Sequence, residues 1–233
     1  MEFAGFFVLV AFLAGFAWLV ITLVKKERER KQQWLRFLQE LGFMLVESPE
    51  AGVIQKLENL RLRPEGNIKI TNLHKRSSAD FTLYLYDQVK VSRHEHDKTE
   101  TILALTSAHF SFPHFCLFPR VDIPGGVLEK LTNMMIDWVV SQSMTRIEFP
   151  EDIEFNKHFV LAGMDSPSLR SFFTSERRNH MLNIISYNII GKEGMVALWF
   201  SRTGRARYEK PDRMEDIRRM VEHSRQLYSI LKN

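Results

Sequence analysis

The chain begins with a run of apolar residues that is long enough to cross a lipid bilayer as a helix. From Phe3 to Val24 there are 22 residues without a charge. A helix of this length covers about 30 Å of hydrocarbon, because each residue adds about 1.5 Å. Gly5 and Gly15 lie inside the run, and lipid tolerates them because an opened helix would leave backbone groups unpaired. The pattern predicts a transmembrane anchor over residues 1–24.

A cleaved secretory signal is the alternative interpretation of this run. Such a signal carries positive charge before a shorter apolar core, and it ends in a small-residue cleavage site. Here Met1 and Glu2 precede the run without a Lys or Arg, and the run ends in Leu23, Val24 and Lys25. These features favour an uncleaved anchor.

A basic stretch follows the apolar run. Between positions 25 and 36, six Lys or Arg residues stand against Glu27 and Glu29, and six minus two is a net charge of +4. The whole chain also carries +4, so the remaining residues are close to neutral. Because the basic charge is confined to this stretch, nucleic acid is not expected as a partner.

The predicted membrane-surface residues are Lys25, Lys26, Arg28, Arg30 and Lys31. Lys and Arg resist translocation, so we expect the N-terminus outside and the rest of the chain in the cytoplasm, at a cell inner membrane. These side chains would also lie within reach of anionic headgroups. The alternative, which we favour, is that they only stop transfer and set the topology.

Helical spacing continues beyond the apolar run. Trp34, Leu35, Leu38 and Leu41 recur every three or four residues, and Gly42 follows as a helix C-cap. The sequence therefore predicts a basic, amphipathic juxtamembrane helix over residues 25–42. A cytoplasmic domain follows over residues 43–233.

In this domain two hydrophobic periods alternate along the chain. The predicted strands are Asn67–Leu73, Phe81–Ser92, Thr99–Phe110, Arg146–Phe149, His158–Leu161, Ile184–Ile190 and Met195–Ser201. The predicted helices are Val127–Gln142, Ser166–Phe173, Ser175–Leu182 and Pro211–Leu231. Hairpin signals between strands, without regular βαβ units, indicate an α+β fold with a mostly antiparallel sheet packed with helices.

Prolines give two more local predictions. Pro113 and Pro119 bracket the segment His114–Phe118, which is predicted to be an edge strand or a connector because proline cannot donate to a sheet. Ser166 followed by Pro167 resembles an N-cap before a proline in the first helical turn.

Two segments resemble a family of uncharacterised bacterial membrane-anchored proteins. The first pattern, P-x-F-x-L-x-P, is matched by Pro113, Phe115, Leu117 and Pro119. The second, D-x-x-F-x-x-x-[YF]-x-L-x-G-x-D, is matched by Asp152, Phe155, Phe159, Leu161, Gly163 and Asp165. The resemblance implies a single-pass inner-membrane protein and no particular chemistry. The residue types favour core and turn roles, with Asp165 as a helix cap.

His94 and His96 are the best candidates for metal ligands. Two histidines two positions apart on a strand point to the same side. They could share a divalent ion if His74, His109 or His114 supplied a third ligand. A solvated hairpin tip is favoured, because a metal site needs a closed ligand set and supporting hydrogen bonds. No metal or cofactor is therefore predicted.

Cys116 is the only cysteine, so an intramolecular disulfide is excluded and a reducing compartment is indicated. A Cys116 nucleophile with His109 or His114 as base is one hypothesis. Reactive thiols need an exposed, electropositive setting, whereas Cys116 lies among Phe115, Leu117 and Phe118. A core thiol is the favoured interpretation.

A basic loop around Gly204 is the last candidate site. Arg202, Arg205, Arg207 and Lys210 could contact lipid headgroups or phosphates, although a solvated loop is favoured. The sequence as a whole predicts a membrane-tethered, non-enzymatic interaction domain that binds a protein partner or the inner membrane surface. The alternative is a membrane-associated hydrolase or metal-dependent enzyme that uses the His94 and His96 hairpin.

Overall fold

The computed structural model describes residues 2–60, 68–90, 98–120, 144–200 and 213–232. For residues 2–15, 17, 90 and 98 it describes the backbone alone. The predicted helix Val127–Gln142 lies outside the described residues. The chain divides into two compact units, Met1–Phe43 and Met44–Asn233.

The first unit is one uninterrupted helix, α1 (Glu2–Glu40), of 39 residues. At about 1.5 Å per residue it is about 58 Å long. It ends at Gly42, whose φ of 80° is the left-handed conformation that favours glycine. The Gly42 N–H donates to Gln39 and the Phe43 N–H to Leu38, both at 2.9 Å, which satisfies two terminal carbonyls in a Schellman motif. The predicted helix end at Gly42 is confirmed.

Among the residues that the structure describes with their side chains, which on α1 exclude positions 2–15 and 17, no helix combines the length and the apolar character that crossing a membrane requires. On the last part of α1, Leu38 is buried, Trp34 and Leu41 are half-buried and Leu35 is exposed. Trp34 also stacks on Phe37, with ring centroids 5.9 Å apart. The apolar positions of this segment thus differ widely in their exposure.

The second unit contains an antiparallel sheet, as predicted. The nine described strands are β1 (Met44–Leu45), β2 (Ile68–Ser77), β3 (Thr82–Lys90), β4 (Lys98–Thr106), β5 (Phe115–Pro119), β6 (Thr145–Ile147), β7 (Phe159–Gly163), β8 (Tyr187–Lys192) and β9 (Met195–Phe200). Their order across the sheet is β1-β2-β3-β4-β9-β8-β5-β7-β6, and all neighbours are antiparallel.

The described helices of this unit are α2 (Ala51–Asn59), α3 (Ile153–His158), α4 (Ser166–Phe172), α5 (Ser175–Met181) and α6 (Arg213–Leu231), with a 3₁₀ turn at Leu182–Ile184. They alternate with the strands in no regular βαβ pattern. The α+β fold class is therefore confirmed.

Both faces of the sheet are buried. On one face, Tyr84, Ile102, Ala104 and other strand residues form a core with Leu57 of α2. On the other, α6 packs its apolar stripe of buried residues, which includes Ile217, Met220, Val221, Leu227 and Leu231. Because side chains alternate along a strand, strands near the middle of the sheet are apolar at consecutive positions.

The hairpin between β8 and β9 is confirmed and is tighter than the predicted four-residue loop. Lys192 pairs with Met195, so Glu193 and Gly194 alone form the turn. Both have positive φ, 52° and 70°. This is the type I′ geometry that matches the twist of the strands it joins.

The prediction that His114–Phe118 is an edge strand or a connector is wrong. The strand β5 lies inside the sheet between β8 and β7, with all five residues buried. Pro113 precedes the strand, and Pro119 is its last residue, beyond the three positions that pair with β8. The missing N–H of proline therefore costs no hydrogen bond with β8.

The prediction that Ser166 caps its helix is also wrong, whereas Asp165 does so. The Asp165 carboxylate accepts a hydrogen bond from the Ser168 N–H, and Pro167 lies in the first turn. The helix α2 was not predicted, although Val53, Ile54 and Leu57 have helical spacing. The elements β1 and α3 were not predicted either, because elements this short carry little periodicity.

Several predicted strands end at different residues. Phe110 lies beyond β4 and forms an isolated bridge with Lys232. Ile184 belongs to the 3₁₀ turn, His158 is the last residue of α3, and Phe149 lies beyond β6. Such shifts reflect competition from helix caps and turns, which the alternation of apolar residues does not reveal.

Two glycines offer a matched test of packing. A Cβ added at Gly163 would overlap the Leu169 side chain and lie 2.6 Å from the His114 carbonyl oxygen, whereas Gly52 has open space around it. Gly163→Ala should therefore lower the free energy of unfolding by about 1–3 kcal/mol, the usual cost of overpacking. Gly52→Ala should leave it unchanged or raise it by up to about 1 kcal/mol. Denaturant titration in detergent, followed by tryptophan fluorescence, measures both. Equal stability of the two variants would contradict the packing at Gly163.

Candidate functional site

Asp87 on β3 is a charged residue inside a sheet, and it is the first place to look for chemistry. It pairs with Thr71 of β2 on one side and with Thr101 of β4 on the other. Paired residues of antiparallel strands share a face, so the three side chains lie together. Only 4% of Asp87 is exposed.

Four hydrogen bonds hold this carboxylate, and we call Asp87, Asn72, Thr101 and Arg213 the Asp87 cluster. Thr101 Oγ1 donates to Oδ1 at 2.8 Å, and Asn72 Nδ2 donates to Oδ2 at 2.9 Å. Arg213 Nη2 lies 2.6 and 2.8 Å from the two oxygens. Each oxygen thus accepts from two donors.

The backbone beside the cluster is irregular. The register of β2 shifts between Thr71 and His74, and Asn72 has a φ of 53°, which asparagine tolerates better than most residues. The bulge aims the Asn72 amide at Asp87 while its carbonyl accepts from Nδ1 of His74 at 2.7 Å. His74 is buried, and its Nε2 has no hydrogen-bond partner among the described residues.

The Asp87 cluster is suited to holding elements together. A carboxylate has about four lone-pair positions, and all four are used by donors of the protein. No position remains from which Asp87 could accept a proton from a substrate. The cluster instead ties the first residue of α6 to the middle of β3.

A second buried charge, Arg178 on α5, has a similar role. Its Nε donates to Asp152 at 2.7 Å, its Nη2 to Glu151 at 3.1 Å and its Nη1 to the Phe173 carbonyl at 2.8 Å. The guanidinium also lies 4.0 Å from the centre of the Phe149 ring. The charge of this buried guanidinium is therefore balanced by two carboxylates, a carbonyl and an aromatic ring.

Asp152 is one of the residues that carry the family resemblance, and it has two structural tasks. It caps α3 by accepting from the Phe155 N–H at 3.0 Å, and it pairs with Arg178. Burial by itself raises the pKa of Asp152, but the hydrogen bonds from Arg178 and Phe155 and the positive charge of Arg178 together lower it. The structural role expected for this pattern is confirmed for Asp152.

The other residues of that pattern also serve packing and turns. Phe155, Phe159 and Leu161 are buried, Gly163 makes the close contacts described above, and Asp165 caps α4. Hydrogen bonds that Ser168 donates to the Asp165 carboxylate lower the pKa of Asp165, against a raising effect of desolvation.

Tyr187 and His223 form a third polar contact, between β8 and α6. The Tyr187 Oη lies 2.8 Å from His223 Nδ1. Burial lowers the pKa of His223, Glu222 raises it and Arg219 lowers it, with a net decrease. A neutral imidazole in this position joins the helix to the sheet.

The predicted histidine site is not assembled from the described residues. His94 and His96 lie outside them. His74 is buried beside Asn72, His109 is exposed and His114 is half-buried. Burial and Lys192 lower the pKa of His114, while Glu193 raises it. The described parts of the chain contain no group of three or more potential ligands that could hold a metal ion.

Cys116 is a core thiol, as favoured from the sequence. It has no exposed surface, and burial raises its pKa to about 12. Across the described ranges, neither His109 nor His114 hydrogen-bonds the sulfur. A thiol held protonated at neutral pH is a poor nucleophile. The basic loop of Arg202, Arg205, Arg207 and Lys210 lies outside the described residues.

The predicted membrane-surface residues all lie on α1 with exposed side chains: Lys25, Lys26, Arg28, Arg30 and Lys31. Successive residues of a helix are rotated by about 100°, so these five surround the axis rather than forming a stripe. Immediately before them, the apolar residues from Trp18 to Val24 are also exposed on all sides, with Trp18 at 69% and Ile21 at 66%. The helix thus changes from apolar to charged around its whole circumference at Val24.

Comparison of the chain with family models, curated proteins and solved structures finds no match. The resemblance to uncharacterised membrane-anchored proteins therefore stays a prediction. Sequence reasoning missed Asp87, Arg178, Arg213 and the pair of Tyr187 with His223. An available signal was Asp87 itself, because aspartate is depleted in strands.

The Asp87 cluster predicts a specific loss of stability. Asp87→Ala removes the buried acceptor that Arg213, Asn72 and Thr101 share, and should lower the free energy of unfolding by about 2–3 kcal/mol. The control is Glu215→Ala, which removes exposed ion pairs to Arg218 and Arg219 and should cost at most about 1 kcal/mol. Denaturant titration of both variants in detergent measures the difference. A loss in Asp87→Ala no larger than in the control would contradict the cluster.

Asp152 predicts an acid-dependent component of stability. Its pKa is lowered in the folded protein, so its contribution is complete above the ordinary value of 3.8. That contribution disappears as the pH falls through the lowered value. Asp152→Asn retains the helix cap and should therefore show a shallower loss of stability between about pH 5 and pH 2. Glu47→Gln, which removes an exposed carboxyl, should follow the unmodified protein. An Asp152→Asn curve parallel to that of the unmodified protein would count against the pairing.

Proposed function

We propose that the protein is a membrane-tethered interaction domain without enzymatic activity. The observation that carries the proposal is the change along α1, from an exposed apolar surface to an exposed charged surface at Val24. Residues 1–24 are the anchor, residues 25–42 continue as the basic juxtamembrane segment, and the sheet domain lies on the cytoplasmic side.

The exposure of the apolar residues supports a lipid environment for this part of α1. A helix that is apolar on one stripe needs one neighbour, whereas a helix that is apolar on all sides needs an apolar surrounding. Trp18, Ile21 and Leu23 are each more than half exposed. The uncharged run from Phe3 to Val24 has the length that hydrocarbon requires.

The hydrogen bonding of Thr22 supports the same environment. Its hydroxyl donates to the Trp18 carbonyl, one turn earlier, at 2.8 Å. In lipid an unbonded hydroxyl would be costly, and a bond to the preceding turn is the usual solution. The segment thus presents no unsatisfied side-chain donor at this position.

The ring of positive charge supports a helix that leaves the bilayer steeply. A helix that lies on a membrane surface carries its basic residues on one side. Lys25, Arg28 and Arg30 instead point in different directions around the axis. Such a ring contacts headgroups from every side where the helix leaves the hydrocarbon.

The buried polar groups support a binding role over catalysis. The Asp87 carboxylate accepts four hydrogen bonds from the protein, the buried Arg178 binds two carboxylates and a carbonyl, and the thiol of Cys116 is protonated at neutral pH. Catalytic acids and bases need free lone pairs or protons that reach a substrate. Asp87 and Arg178 thus bind other parts of the fold, and Cys116 is held in its unreactive form.

The tether is tested by placing one arginine at two positions of α1. Leu13→Arg puts a charge at the centre of the apolar run and should cost about 2.5–3.5 kcal/mol of insertion free energy. A large share of this variant should therefore appear in the soluble fraction after an alkaline carbonate wash. Leu35→Arg, outside the apolar run, should remain in the membrane like the unmodified protein.

Release of the unmodified protein by carbonate would overturn the tether. The orientation has its own control, in which protease is added outside intact cells that carry a C-terminal tag on the protein. The tag should survive until the membrane is permeabilised. Its digestion in intact cells, or a mature protein that begins beyond residue 20, would contradict the proposed topology.

A further inference from the structure

A groove of about 700 Å³ lies between α5 and α6. This volume is in the range of ligand pockets in proteins. Its charged lining consists of Arg177 and Lys232 against Glu176, with His180 beside them. The Glu176 carboxylate is 85% exposed and lies 3.9 Å from His180 Nε2, so it faces solvent at the rim. The two cations of the lining therefore outnumber its one carboxylate.

Arg177 is held in place by contacts on three sides. Its Nη1 donates to the Phe172 carbonyl at 2.9 Å and its Nη2 to the Lys232 carbonyl at 3.3 Å. Its guanidinium also stacks on the Phe172 ring at 4.1 Å from the centroid. A guanidinium has five N–H donors, and these two bonds leave three for a ligand. An arginine that is already fixed loses little entropy on binding.

Lys232 is fixed at the groove through its main chain, and its side chain is exposed. Its N–H donates to the Tyr228 carbonyl at 2.9 Å, and it forms a β-bridge with Phe110. The Nζ lies 5.6 Å from the centre of the Tyr228 ring. Two cations are thus held at the groove by the sheet domain itself.

The neutral polar residues of the groove suit a peptide. Asn183 and Gln226 carry carboxamides, which donate and accept, as the backbone of a peptide does. The buried side chain of Ile230 supplies an apolar contact. A groove with fixed cations and carboxamides is complementary to an acidic chain in an extended conformation.

We propose that this groove binds an acidic peptide segment of a protein partner, with Arg177 and Lys232 as the carboxylate-binding residues. This inference rests on the proposed function as an interaction domain, and it names the site and the chemistry of the partner. A lipid headgroup is the competing occupant. The concave shape and the carboxamides favour the peptide, because a bilayer presents a flat surface without backbone amides.

The experiment uses the full chain in nanodiscs of phosphatidylcholine, which carry no net charge. Fluorescence anisotropy follows a labelled hexaglutamate peptide, with hexaglutamine as the neutral probe. Saturable binding is expected for hexaglutamate alone. Arg177→Gln and Lys232→Gln should each weaken it about tenfold or more, the usual effect of losing a charge-assisted hydrogen bond.

Lys157→Gln is the matched control, because Lys157 is an exposed lysine on α3, away from the groove lining. It should bind hexaglutamate like the unmodified protein. Thermal unfolding of each variant checks that the fold is retained. Lys232→Gln keeps the test decisive if Arg177→Gln unfolds, because the hydrogen bonds of Lys232 described here are made by its main chain.

Three results would overturn the inference. Unchanged binding in Lys232→Gln would exclude the groove, and equal weakening in Lys157→Gln would indicate attraction to diffuse charge. Displacement of the peptide by soluble dihexanoyl phosphatidylserine would assign the groove to lipid. None of these results bears on the proposed tether, which the carbonate wash tests separately. A Lys232→Gln protein that stays in the membrane and still retains a partner would refute the groove as the binding site and leave the proposed function standing.

Discussion

Burial of both faces of the antiparallel sheet is the constraint on which the rest of the structure depends. Leu103, Ala104 and Leu105 follow one another in β4 with no exposed surface, so neither side of this strand faces water. Each face must be covered by other elements, and α2 and α6 lie over opposite faces. The positions of the helices and the polar clusters between them follow from this requirement.

Charged residues between a sheet and its helices must find partners inside the protein. The Asp87 cluster and the contacts of Arg178 satisfy this requirement in similar ways. Each joins a strand or loop to a helix that lies far away in sequence, by 126 residues from Asp87 to Arg213 and by 26 from Asp152 to Arg178. These groups position α6 and α5, and the groove with Arg177 and Lys232 lies between the same two helices.

The helix α1 follows a different physical rule from the sheet domain. In the domain, apolar side chains are buried against one another, whereas from Trp18 to Val24 they are exposed on all sides of a helix. This contrast within one chain is the basis for proposing two surroundings, lipid for the start of α1 and water for the domain. The basic ring at Lys25 marks the proposed boundary between them.

The sequence by itself determined the elements whose signals are local. Alternation of apolar residues identified β3, a hairpin signal identified β9, Gly42 marked the end of α1, and the neighbours of Cys116 indicated a buried thiol. Only the tertiary structure decided that β5 lies inside the sheet. A proline is compatible with an inner strand when its position has no hydrogen-bonding partner on the neighbouring strand, and that depends on how far the neighbour extends. The tertiary structure also determined which residues bind Asp87 and Arg178 and which residues line the groove at Arg177. The reason is that such contacts join residues distant in sequence, and no local pattern encodes which of many distant groups will meet.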